Sequence, residues 1–175
     1  YNHVTGATVD NIIDNNGADP PDGVVYENLG FAGSGTKTVD APTTTGTLVV
    51  GGVVTLAAGT ETVDLSTNNS ALVIYADFNA GSGTTFNCGT RPVTIGGSFT
   101  NAGTCNFDNA LLTFNAGDIF ETLTTVNPQV FTNVAFTGGG LLTMAGGRFL
   151  LKSTFVLTMS NNSQLATGGN LTLIS

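Results

Sequence analysis

The chain has 175 residues and a net charge of −8, and its 29 Thr, 24 Gly and 18 Asn contrast with only 9% charged residues. That rules out a coiled coil or a charge-rich disordered tail, and 41% apolar residues with 11 Phe rule out a linker. Four scattered cations (Lys37, Arg91, Arg148, Lys152) cannot neutralise a phosphate backbone or hold an anionic membrane, and no apolar run approaches the roughly 18 residues of a membrane span.

The first 23 residues stand apart as an acidic N-terminal cap or linker segment, with residues 24–175 as the repeat domain. No secretory leader opens the chain, which begins at Tyr1, so a mature form or a segment of something longer is expected. Asp14, Asn16, Asp19 and Asp22 place carboxylate and amide oxygens at close spacing around Gly17, a donor set suited to calcium. The pattern departs from an EF-hand loop, whose twelfth position would carry a bidentate Glu and here is Val25. The competing reading is a polar turn over Pro20, Pro21, Asp22 and Gly23. His3 is the sole histidine, so a Ser-His-Asp triad or a Cys/His zinc site has no candidate constellation.

Residues 33–38 have the Gly and Lys of a phosphate loop in the wrong order, because Thr36 precedes Lys37, so an exposed turn between strands is expected. From there one element recurs, apolar-x-apolar, beginning at Leu29, Leu48, Leu72, Val93, Leu112, Val134, Phe155 and Leu171, with a mean spacing near 20 residues. Alternation at period two, β-branched and aromatic filling, and Gly/Asn corners mark strands. Helix periodicity is lacking. Secondary runs at residues 63–65, 86–88 and 141–144 supply further faces for each repeat. The expected fold is all-β: a single-stranded parallel β-solenoid, a right-handed β-helix by the chirality of parallel connections, with about 20 residues per coil. The alternative is a β-sandwich.

An offset of 19 stacks Val93 on Leu112, Ile95 on Phe114, Phe86 on Cys105 and Cys88 on Phe107. Large then meets small at the paired inward positions, as a narrow core requires, while Thr94 and Thr113 point out. Cys88 and Cys105 are then diagonal by two residues, beyond the usual bridging range, so buried free thiols are expected. The sequons at Asn68, Asn161 and Asn170 are expected by chance in so Asn- and Thr-rich a chain.

The stretches VTIGGSFTNAGTCNFDNALLTFNAG and VFTNVAFTGGGLLTMAGG, with YENLGFAGSGTKTV before them, resemble tandem repeats of large bacterial cell-surface and secreted adhesin-like proteins, often exported by type IX secretion. The resemblance spans residues 24–175. It implies extracellular β-helical stalks or fibres and brings no catalytic residues. The expected function is an extracellular structural or adhesive segment of a bacterial surface fibre, not an enzyme. It would associate end to end into a filament or continue into a longer chain, with surface glycans as further partners. Two binding-module alternatives remain. Glycan binding meets a poor supply of stacking aromatics, no Trp and three Tyr, and ice binding through the outward Thr row is interrupted by Val49 and Val73. A β-helical carbohydrate-active enzyme would need paired carboxylates, but Asp64, Asp77, Asp108, Asp118 and Glu121 are spaced singly.

Overall fold

The computed structural model describes residues 2–6, 25–39, 47–67, 69–107, 110–115, 122–159, 164–169 and 171–174. Among the described residues, nineteen strands and no helix form a parallel β-solenoid of about five turns. Each coil contributes to three sheets. The first holds Val25–Tyr26, Thr47–Val50, Ala71–Ile74, Val93–Ile95 and Leu112–Phe114, and continues through the later parts of Gln129–Phe136 and Phe149–Met159. The second holds the start of Leu29–Thr38, then Val54–Leu56, Phe78–Ala80, Phe99–Asn101, Thr122–Thr125, Leu141–Gly146 and Gln164–Ala166. The third holds the end of Leu29–Thr38, then Thr60–Asp64, Thr85–Asn87 and Thr104–Asn106.

A turn takes about 23 residues, longer than the motif spacing near 20. The discrepancy has a simple origin. Leu48, Leu72, Val93, Leu112 and Val134 do occupy one column of the first sheet. Leu29, however, begins a strand of the second sheet, Leu171 pairs with Phe149, and Leu157 rather than Phe155 stands opposite Val134. Counting from one face to another shortens the apparent period.

The interior follows the alternation. Phe86, Cys88, Val93, Ile95, Cys105, Phe107, Leu112 and Phe114 are all buried, while Thr94 and Thr113 are half-buried on the opposite parity. The offset of 19 holds on both sheets, with Val93 opposite Leu112 and Phe86 opposite Cys105. Phenylalanines form a column through the core. Phe78 stacks on Phe99 at 5.6 Å, Phe99 meets Phe114 edge-on at 6.0 Å, and Phe114 stacks on Phe136 at 5.5 Å. Such pairs add about 0.5–1.5 kcal/mol each beyond the area they bury.

Two corners differ from the sequence expectation or extend it. Residues 33–38 are not an exposed turn: they lie in the strand Leu29–Thr38, which bends from the second sheet to the third at Gly33 and Gly35 (φ 102° and 77°). Only glycine adopts those angles without strain. Lys37 is fully buried beyond the bend, and its Nζ donates to the Ser34 carbonyl at 3.1 Å. At the corner before the second sheet, side chains of one coil accept backbone N–H groups of the next. Asn28 Oδ1 accepts from Val53 and Asp77 Oδ1 from Ser98, both at 2.8 Å, and Ser98 Oγ accepts from Thr122 at 3.0 Å. These bonds satisfy backbone donors that the turning chain would otherwise leave open.

Asn2–Gly6 pairs in parallel with residues 29–33, so the ladder of the second sheet already includes the start of the acidic head. The calcium candidates Asp14, Asn16, Asp19 and Asp22 lie outside the described residues, as do Asp108, Asp118, Glu121, the sequon residues Asn68, Asn161 and Asn170, and Ser175.

Candidate functional site

The outward face of the third sheet carries a regular polar grid. Strand registers align Thr36, Thr62, Thr85 and Thr104 in one column and Thr38, Asp64, Asn87 and Asn106 in the next. Rungs in a sheet stand about 4.8 Å apart, and columns two residues apart along a strand are separated by about 6.6 Å. Asn106 Nδ2 donates to Asn87 Oδ1 at 2.7 Å, linking two rungs by their side chains. The hydroxyl column is therefore unbroken on the third sheet. On the first sheet the corresponding column reads Val49, Val73, Thr94, Thr113, Ala135 and Thr158. The third-sheet column is hidden in the sequence because its members are separated by 26, 23 and 19 residues.

The inner face of the same strands is apolar except at the start. Glu61 is fully buried, and neither carboxylate oxygen has a hydrogen-bond partner. Asp64 ends its strand as a turn cap, accepting from the Ser66 N–H at 2.9 Å and from the Ser66 and Thr67 hydroxyls. Burial pushes the Asp64 carboxyl up, and the hydrogen bonds from Ser66 and Thr67 together outweigh it, leaving it below the usual range. Asp77 serves the corner of the second sheet. Of the carboxylates considered for glycoside hydrolysis, these two lie within the described residues. They occupy different corners, and each is engaged by backbone N–H or hydroxyl donors. Among the described residues no group of three or more His, Cys, Asp or Glu could hold a metal ion.

Cys88 and Cys105 are buried free thiols. Cys88 Sγ donates to the Gly89 carbonyl at 3.5 Å. Burial, and after it the neighbouring Cys88, pushes the Cys105 thiol far up, which suppresses the reactive thiolate.

Beyond Thr104–Asn106 the third sheet is interrupted. The next coil pairs normally on the other two sheets, Phe99 with Leu123 and Leu112 with Val134, but among the described residues no strand pairs with the far edge of Thr104–Asn106. Side-chain amides bridge the gap instead. Gln129 Nε2 donates to the Cys105 carbonyl at 3.1 Å and to the Val130 carbonyl at 3.0 Å, while its Oε1 accepts from Asn101 Nδ2 at 3.0 Å. Asn101 Oδ1 in turn accepts from the Gly103 N–H at 3.0 Å, and Asn127 Nδ2 donates to the Gly103 carbonyl at 3.2 Å. Asn101 and Gln129 are 2% and 3% exposed, and both of their side-chain amides are committed to holding the two coils. The interruption leaves an open cleft of about 330 Å³ between residues 103–107 and 127–130. Sequence reasoning passed over Gln129, because a lone Gln at the head of an apolar run carries no motif.

No protein-family model, no curated protein and no solved structure matches this chain.

Proposed function

We propose that the chain is an extracellular structural and adhesive solenoid, a segment or subunit of a bacterial surface fibre without catalytic activity. The observation that carries this reading is the continuous parallel ladder. One narrow Phe-rich core runs through about five similar turns, clad mainly in hydroxyls and amides. A stack of that kind resists extension because coils are joined along their length by backbone bonds and corner side chains. Gln164–Ala166 and Leu171–Ile174 each have a strand on one side only among the described residues. Their free edges suit docking of another copy or continuation of a longer chain, a head-to-tail contact that builds filaments. Electron microscopy of the purified chain and of native surface material tests the reading. End-to-end filaments, or repeat stalks projecting from cells, are expected. Lone particles in both preparations would overturn it.

The same reading assigns the Asp14, Asn16, Asp19 and Asp22 set to calcium on its oxygen-rich chemistry. Chelator should then alter proteolysis of the N-terminal segment alone, and an unchanged cleavage pattern would remove calcium from the account.

A second reading, binding to ice, is favoured by the unbroken column Thr36, Thr62, Thr85 and Thr104. The column presents hydroxyls at a regular repeat of about 4.8 Å, beside a second column of Thr38, Asp64, Asn87 and Asn106. Thermal hysteresis by the chain, abolished by Thr62→Tyr, is its signature. Freezing indistinguishable from that of an inert protein would dismiss it.

A further inference from the structure

We infer that the cleft between residues 103–107 and 127–130 is a binding site for a single neutral sugar residue. This goes beyond the structural reading and stands or falls independently of filament formation. Its volume of about 330 Å³ falls at the lower end of the range for small-molecule sites, roughly 300–1,000 Å³.

The lining decides the ligand class. Thr104, Asn106 and Asn127 are exposed at the rim. Among the described residues the Thr104 hydroxyl, Asn106 Oδ1 and Asn127 Oδ1 have no hydrogen-bond partner, whereas Asn106 Nδ2 and Asn127 Nδ2 are already committed. The rim is therefore rich in acceptors for hydroxyl donors. Backbone alternation adds a donor. The Thr104 N–H and Asn106 carbonyl face the preceding coil, so the Cys105 N–H faces the cleft. Exposed Pro128 and half-buried Val130, with buried Phe107, supply the apolar part of the lining for the C–H face of a pyranose ring. Among the described residues, no Asp, Glu, Lys, Arg or His lines the cleft. A charged ligand would lose hydration there without gaining a counter-charge, so a neutral polyol is favoured over a uronic acid or an amine.

The site is also built to persist when empty. The Asn101–Gln129 network and the Asn127–Gly103 bond hold the walls apart at fixed spacing, so little ordering cost is left for the ligand.

The test is a titration of the ¹⁵N-labelled full chain with glucose, galactose, mannose and N-acetylglucosamine, alongside glucuronate. Saturable shifts of the amides of residues 103–107 and 127–130 are expected with at least one neutral sugar, and none with glucuronate. Thr104→Val and Asn106→Ala, both at exposed rim positions, should each weaken that binding about tenfold, Thr104→Val with the melting temperature unchanged and Asn106→Ala with the small loss of its exposed bond to Asn87. Absence of saturable shifts up to the solubility limit of all four sugars would overturn the assignment. So would shifts centred elsewhere, such as at the exposed Tyr75, or preferential binding of glucuronate.

Discussion

Gln129 Nε2 donates to the Cys105 carbonyl at 3.1 Å across a place where, among the described residues, strand pairing lapses between stacked coils. A side-chain amide thus takes the role of a backbone rung, and the opening beside it is what makes a cleft.

The first expected outcome concerns that bridge. Gln129→Met keeps much of the volume but removes the donor to Cys105 and Val130 and the acceptor for Asn101. The partners it abandons are buried, so the loss should be about 2–4 kcal/mol, or roughly 5–15 °C in Tm. Thermal unfolding followed by circular dichroism measures it. A change within half a kilocalorie would show that the bridge carries no weight.

The Cys105 thiol sets an alkaline limb of stability. The folded Cys105 thiol lies above its unfolded value of about 8.5 because of burial and then the adjacent Cys88. The contribution is complete below about pH 8.5 and is lost as pH rises toward the folded value, because the unfolded chain then gains the thiolate first. Tyr26 is also raised by burial, but its loss begins only above about pH 10. Between those values Cys105→Ala should flatten the decline in urea midpoint seen for the parent. Equal slopes in the two proteins would contradict the assignment. Neither thiol should react with a thiol reagent until the chain is unfolded.

Glycines at the corners provide a paired test. Gly147 and Gly169 share a left-handed backbone, φ 83° and 81°. A Cβ at Gly147 would stand 2.0 Å from the Thr125 carbonyl oxygen, whereas at Gly169 none of the described residues lies within 4 Å. Gly169→Ala should cost about 1 kcal/mol of backbone strain alone, and Gly147→Ala several times more, because the neighbouring coil must also move. Comparable losses at the two sites would refute a role for coil-to-coil contact.

Glu61 is the least satisfied group of the third sheet. Its oxygens are buried without partners, and Glu61→Met replaces them by apolar volume. Stability should rise by about 1–3 kcal/mol. A lower denaturant midpoint would show that the carboxylate serves a purpose in the core.

Much of the fold is legible in the chain itself. Alternation in residues 93–95 and 112–114, and the large-for-small exchange of Phe86 with Cys105, are local consequences of a narrow core stacked at one strand spacing. They therefore survive as pattern, and an inward set read from them is the set the solenoid buries. Which face a motif occupies is another matter. Corners of different length let successive coils consume from 19 to 26 residues on the third sheet, so a constant period assigns Leu29 and Leu171 to the wrong column and leaves the Thr36–Thr104 column unseen. Lys37 looks like a turn residue until the bend at Gly33 and Gly35 carries it inside. The interruption after Thr104–Asn106 has no sequence signature, because Gln129 is an ordinary polar residue until two coils bring the Cys105 carbonyl within its reach. Side-chain parity is a property of two neighbouring residues, and the sequence alone determines it. The register of one coil on the next depends on how each corner closes, and only the assembled stack decides that.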